Sequence, residues 1–179
     1  MSSSVFYTVG HSTRTQEELI DLLGVGGVDH VVDVRAMPRS RTNPQFNHDV
    51  FAMRLAASGI GYDHSEALAG LRKRSKTVAD EINAFWRNRS FHNYADYALS
   101  TRFQQAIDSL IELGERHVCA LMCAEAVWWR CHRRLIADHL LHRGERVFHL
   151  MSKDRIQPAE MTSAARTGDN GMLIYPAAE

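Results

Sequence analysis

The stretch Cys123-Ala-Glu-Ala-Val-Trp-Trp-Arg-Cys-His-Arg133 gathers two thiols, a carboxylate, an imidazole and two guanidinium groups. A thiol that precedes a helix can serve as a nucleophile, because helix N–H groups and nearby arginines favour the thiolate. Cys123 is read this way, with Glu125 and His11 as the groups that would move protons. The competing reading is a buried, inert cysteine that packs as a small hydrophobe. Cys119 fits that description, because it lies inside an apolar run. A metal site would draw on Cys123, Cys131, His132 and Glu125. The cysteine spacing is wide and no second close pair exists, so no metal is assigned. Loops of the cysteine-phosphatase and rhodanese kinds also fail, since Arg130 lies seven residues after Cys123 and the glycine turn is missing. Cys123 and Cys131 would be a redox pair only if the fold brings their Cα atoms within reach. His132, on an apolar helical face, reads first as a core residue.

A second group surrounds Arg35. An arginine leaving a strand can hold a phosphate or carboxylate through its two-pronged guanidinium. Asp33, two residues earlier, points to the same side of the strand. It would either pair with Arg35 and orient it or act as a base; a plain structural ion pair is the competing reading. Ser40 and Arg41 follow in the next loop, with Arg39 beside them.

These residues need a frame, and the chain supplies one. Val5–Val9, His30–Val34, Ile60–Asp63, Val118–Met122 and Val147–Leu150 read as strands, several of them apolar on both faces as buried parallel strands are. Helical patterns lie between them: one capped at Thr13 or Thr15 and ended by Gly24–Gly27, one from Val50 to Gly59, one carrying Phe103, Ile107, Leu110 and Ile111, and one from His132 to Gly144. The alternation predicts a three-layer, Rossmann-like α/β fold: about five mostly parallel strands with helices on both faces. The whole chain, 1–179, is expected to be one domain. An irregular loop over about 65–95, with one short helix near Val78–Trp86, and an irregular tail over about 152–179 are expected within it. In such sheets ligands bind beyond the carboxyl ends of the strands. His11, Ser12 and Arg14 follow the first strand, Asp33 and Arg35 the second, His64 the third and Cys123 the fourth. Ser152, Lys153 and Asp154 follow the fifth.

Composition limits the partners. Lysine plus arginine and aspartate plus glutamate both total 21, so no global charge marks the chain for nucleic acid or membrane. No apolar run reaches the roughly 20 residues that span a bilayer. Three cysteines and no signal-like N-terminus point to a reducing cytoplasm. The local basic run Arg72–Lys76 reads as a solvated loop before it reads as a phosphate-backbone contact. Trp86, Tyr94, Tyr97, Trp128 and Trp129 would either stack bases or fill core and interface.

The motifs also carry a resemblance. They are Thr8-Val-Gly-His-Ser12, Asp33-Val-Arg35 with Pro38-Arg-Ser40, Gly59-Ile-Gly-Tyr-Asp-His64, Leu68-Ala-Gly70, Tyr94-Ala-Asp-Tyr97, Cys123-Ala-Glu125 and Cys131-His-Arg133. Together they resemble the bacterial and archaeal family known as domain of unknown function 488. The resemblance implies an α/β fold and marks the two cysteine motifs as the site. It selects the same residues as the strand ends, and Tyr62, His64, Cys131, His132 and Arg133 stand with Arg35, Asp33, Ser12, Ser40 and Arg41 in the candidate ligand-binding set. It implies neither a reaction nor a cofactor. The chain departs from the family in its aromatic spacer, Ala126-Val-Trp-Trp-Arg130, and in Leu-Ala-Gly where members carry Leu-Gly-Gly. Two functions therefore stand: an enzyme acting on a phosphorylated or nucleotide-like substrate, or a module that binds an anionic ligand or nucleic acid without chemistry.

Overall fold

The computed structural model describes residues 2–179. Its main sheet has six strands in the order β3-β2-β4-β1-β5-β6. These are β1 (Val5–Gly10), β2 (His30–Asp33), β3 (Gly61–His64), β4 (Cys119–Cys123), β5 (Arg146–Ser152) and β6 (Arg155–Pro158). The first five run parallel and β6 is antiparallel to β5. Five helices surround the sheet: α1 (Gln16–Val25), α2 (His48–Ala57), α3 (Arg89–Tyr97), α4 (Thr101–Gly114) and α5 (Arg133–His142). The expected three-layer α/β architecture is present.

Each face of the sheet has its own core. On one, Leu19, Leu22 and Leu23 of α1 and Phe51 and Leu55 of α2 pack on Val9, Val31, Ala120 and Met122. On the other, Phe103, Ile107 and Leu110 of α4 and Leu135, Ile136 and Leu140 of α5 pack on Phe6, Leu121 and Cys119. The helix starts are capped locally. Thr15 and Glu18 form a reciprocal capping box, and the Ser100 hydroxyl accepts from the Phe103 N–H.

The chain leaving β4 passes to the α5 face, whereas the chains leaving β1 and β2 pass to the α1–α2 face. Neighbouring strands whose connections part in this way open a crevice at their carboxyl ends. The crevice lies over Gly10, Asp33 and Cys123.

Two segments are more ordered than their sequence suggests. Arg89–Tyr97 is a helix that begins inside the expected loop of 65–95 and runs two residues past its end. Its buried side includes His92, Asn93 and Asp96, so an apolar periodicity does not reveal it. Arg155–Pro158 is a strand inside the expected irregular tail. It is mostly exposed and pairs with β5 through main-chain bonds that carry no hydrophobic signature. Short strands β7 (Arg166–Thr167) and β8 (Leu173–Ile174) pair with each other nearby. The Tyr175 ring is buried and its hydroxyl donates to Asp138 at 2.9 Å. Among the described residues, no helix is long and apolar enough to cross a membrane.

Gly10 sets the shape of the crevice. The backbone beyond Cys123 crosses directly over it, and a Cβ at Gly10 would lie 1.8 Å from the Glu125 carbonyl oxygen. The crossing is tied down by His11 N–H to the Cys123 carbonyl at 2.9 Å and Ser12 N–H to the Ala124 carbonyl at 3.1 Å. Gly10→Ala is therefore expected to cost at least about 1–3 kcal/mol, the usual cost of overpacking. Denaturant unfolding at equilibrium checks this; a wild-type midpoint would mean that the crossing is not tightly packed.

Candidate functional site

Asp33 ends β2 with no exposed surface and receives Arg35. Arg35 Nη2 lies 2.7 Å from Asp33 Oδ2 and Nε lies 2.9 Å from Oδ1. Nη2 also donates to the Phe46 carbonyl at 2.7 Å, and the Tyr62 hydroxyl donates to Asp33 Oδ2 at 2.5 Å. Burial works against the Arg35 charge, but the Asp33 carboxylate outweighs it and holds the guanidinium pKa above its ordinary value. Burial, reinforced by Asp33, pushes the Tyr62 hydroxyl well up. His64 Nε2 donates to the Arg35 carbonyl at 2.7 Å.

This geometry changes the role expected of Arg35. Its fork is committed to Asp33, which leaves Nη1 as the guanidinium edge nearest the crevice. Nη1 is 3.3 Å from His11 Nε2. His11 Nδ1 in turn donates to the Ser12 carbonyl at 2.8 Å, so Nε2 is the acceptor from Arg35. Burial and the Arg35 charge both lower the His11 pKa, while the Ser12 carbonyl opposes them. His11 thus has both ring nitrogens engaged and is stacked on Phe46 with ring centroids 4.4 Å apart.

The thiols lie across the crevice. Cys131 precedes α5 and its S–H reaches the Cys123 sulfur at 2.8 Å. The Arg133 backbone N–H points at the Cys131 sulfur at 3.5 Å. The Cys131 hydrogen bond holds the Cys123 pKa below the ordinary thiol value against the opposing effect of burial, and the Arg133 charge adds to it. Burial, with the neighbouring Cys123, pushes the Cys131 pKa well up. Cys119 is at the other end of β4, where burial pushes its thiol up to about 12.

Two further groups back the thiols. Arg133 is almost wholly buried, and no carboxylate pairs with it among the described residues. Its Nη2 donates to the Ala126 carbonyl at 3.2 Å, while Nε and Nη1 meet no hydrogen-bond partner there. His132 Nε2 donates to the Val34 carbonyl at 2.8 Å, which leaves Nδ1 as an acceptor 3.6 Å from the Cys131 sulfur. Burial lowers the His132 pKa to about 4. Gly70 permits this approach, because a Cβ there would lie 2.9 Å from His132 Nδ1.

These groups surround one cavity of about 530 Å3. Of the sequence-predicted residues, His11, Arg35, Ser40, Cys123, Glu125, Cys131 and His132 line it. Asp33, Tyr62, His64 and Arg133 support it from behind, Ser12 lies beside it, and Arg41 is exposed outside it. Ser152, Lys153 and Asp154 do not line it; Lys153 pairs instead with Asp21 at 3.6 Å. Among the described residues, no three His, Cys, Asp or Glu side chains are grouped to hold a metal. Sequence reasoning missed Met37, Leu71 and Phe91, which also face the cavity, whereas Tyr94, singled out as a base-stacking or core aromatic, both lines it and belongs to the core. The available signals were the Asn88 cap of α3 and the Tyr94/Tyr97 spacing on it. Arg72 is folded back onto the Ala69 carbonyl at 3.0 Å and lies 3.8 Å from the centroid of the Tyr97 ring. Trp86 and Tyr94 are core residues, and Trp128 stacks on His149 at 4.5 Å.

Fold and crevice define a three-layer α/β protein with paired thiols at the carboxyl edge of its sheet. The chain belongs to the family described as domain of unknown function DUF488, whose model matches residues 15–140. Comparison with curated proteins and with solved structures gives no match.

The Asp33–Arg35 pair is the part of the site most exposed to a single change. Asp33→Asn removes the charge that compensates a guanidinium only 6% exposed. Breaking such a pair on one side costs roughly 3–5 kcal/mol. Chemical denaturation should show a loss of that size; a loss under about 1 kcal/mol would mean that Arg35 finds another partner.

Proposed function

We propose that the crevice binds a small phosphorylated or nucleotide-like anion beside a reactive thiolate on Cys123. The observation that carries this reading is the single cavity in which Cys123 and Arg35 meet, at a volume within the ordinary range for ligand sites. Arg39 and Arg130 add two more cations at its edge. Their guanidinium groups are unspent by carboxylates among the described residues, unlike that of Arg35, and suit phosphate oxygens.

The rim supports a ligand with an apolar part. Leu71 is 82% exposed and Met37 is 73% exposed, and both line the cavity. Leu71 also holds a left-handed backbone, φ 58°. That conformation costs a leucine about 1–2 kcal/mol. The turn is held by Arg72, which reaches back to the Ala69 and Glu66 carbonyls, and by Asn93, whose Nδ2 donates to the Arg72 carbonyl at 3.1 Å. A leucine kept in solvent at such cost fits a surface that a sugar or base would cover.

Arg133 supports the thiolate. A buried cation without a carboxylate is costly unless an anion lies near it. The Cys123 thiolate is the anion within its field. Cys123 would then attack an electrophilic centre of the bound ligand: an S–ligand bond forms, the bond to the leaving group breaks, and that group departs with a proton from solvent, beside Glu125 at the cavity edge.

A second reading, a sensor that binds the same anion without chemistry, draws on His11. Both its nitrogens are engaged, so it has no free site for a proton.

Calorimetric titration with inorganic phosphate and with a nucleoside monophosphate tests the binding. Binding that weakens with salt, and by about tenfold in Arg130→Ala, is expected; no heat with either ligand would overturn the reading. Iodoacetamide then separates the two functions. Alkylation follows the thiolate, so its rate should rise with pH through a midpoint below the ordinary thiol value of about 8.5. Arg133→Met, which removes the stabilising charge, should move that midpoint upward. A midpoint at or above the ordinary value, with binding intact, would favour the sensor.

A further inference from the structure

We propose that Cys123 and Cys131 form a two-electron dithiol couple, and that a hydroperoxide entering the cavity closes a disulfide between them. The inference rests on the reactive Cys123 of the reading above, but not on its anionic ligand.

Geometry carries the argument. The sulfurs are 2.8 Å apart, against about 2.05 Å in a disulfide, so closure needs a short further approach. Both cysteines, though nearly buried, line the same cavity, so a small oxidant that enters it meets them together. They lie eight residues apart, at the two ends of the segment that crosses Gly10. The segment is held at its start by the bonds from His11 and Ser12 and at its end by the first turn of α5. The near contact is therefore built by long-range structure rather than by chain proximity. Cys119 has no such partner, and its S–H faces the His117 carbonyl at 3.8 Å.

The two sulfurs have different surroundings, which divides the steps between them. Cys123 accepts a hydrogen bond from Cys131 and lies in the field of Arg133, which favours its thiolate as the first to react. Cys131 keeps its proton, with His132 Nδ1 as a second acceptor at 3.6 Å.

In the first step the Cys123 thiolate attacks the terminal oxygen of ROOH. The O–O bond breaks, an S–O bond forms, and RO⁻ takes a proton from solvent to leave as ROH. The thiolate sulfur becomes a sulfenic acid, Cys123–SOH, and the peroxide is reduced by two electrons. In the second step Cys131 sulfur attacks the Cys123 sulfur. The S–S bond forms, the S–O bond breaks, and the departing hydroxide takes the Cys131 proton to leave as water. An external dithiol returns the couple to its reduced state by exchange. Closure removes the nucleophile and ties residues 124–130, with Glu125 and Arg130 of the cavity edge, to β4.

The test uses the full chain and stoichiometric hydrogen peroxide, followed by alkylation, digestion and mass spectrometry. The expected product is a Cys123–Cys131 cross-linked peptide with Cys119 still free, reversed by dithiothreitol. Cys131→Ala should give no cross-link and should accumulate a sulfenate on Cys123 that dimedone traps; Cys131→Ser serves if the alanine variant does not fold. Cys123 oxidised to sulfinic acid in the wild type while Cys131 stays a thiol would overturn the couple, as would two thiols that peroxide leaves unchanged. If Cys123 alkylates rapidly at neutral pH yet no cross-link forms, the couple fails and the proposed function stands. If the cross-link forms but phosphate and nucleotide do not bind, the couple stands and the proposed function fails.

Discussion

Asp33 grips Arg35 through both carboxylate oxygens at the floor of the crevice, and the rest of the site is arranged around that pair. A buried guanidinium must have its charge and its donors answered. Asp33 answers the charge, while the Phe46 carbonyl and His11 Nε2 take up two more donor directions. Each answer fixes another element. Phe46 brings in the loop before α2, His11 brings in the end of β1, and Tyr62 ties in β3 through Asp33. One ion pair thereby registers three strand ends against each other, and it also spends the groups that a simpler reading would give to the ligand.

A second buried guanidinium, that of Arg133, has the opposite character. No carboxylate meets it among the described residues, and two of its nitrogens lack hydrogen-bond partners there. Next to it are two thiols in contact. The contrast gives the crevice two electrostatic regions: a neutralised floor at Asp33–Arg35 and a cationic side at Arg133, whose charge helps hold the Cys123 pKa down. Arg39 and Arg130 extend the positive region to the cavity edge. The apolar rim of Leu71 and Met37 faces the same space, so charge, thiols and apolar surface are presented within about 530 Å3.

The order of strands and helices could be read from apolar runs of the right length, and the strand-end rule then placed His11, Arg35 and Cys123 at one edge. The approach of Cys131 to Cys123 could not be read, because it depends on the segment after β4 crossing Gly10, where only the missing Cβ permits the path. Whether Asp33, two residues before Arg35, pairs with it or acts as a base is open in the sequence; the 2.7 and 2.9 Å contacts decide for pairing. Helix α3 was hidden by its buried polar residues. With it went Leu71 and Phe91, whose place at the cavity follows from how α3 docks rather than from any local pattern. Strand β6 was hidden for the converse reason, since an exposed edge strand is held by its main chain and asks little of its side chains.

The central claim is that anion and thiol share one cavity, and a protection experiment tests it most directly. Cys123 is alkylated with iodoacetamide at fixed pH in rising concentrations of inorganic phosphate or a nucleoside monophosphate, with alkylation of the denatured chain as the control. The account predicts a saturable slowing at Cys123, steeper for the nucleotide because Leu71 and Met37 would bind its apolar part. An alkylation rate at Cys123 that does not change while either ligand is shown to be bound would put the anion elsewhere and contradict it.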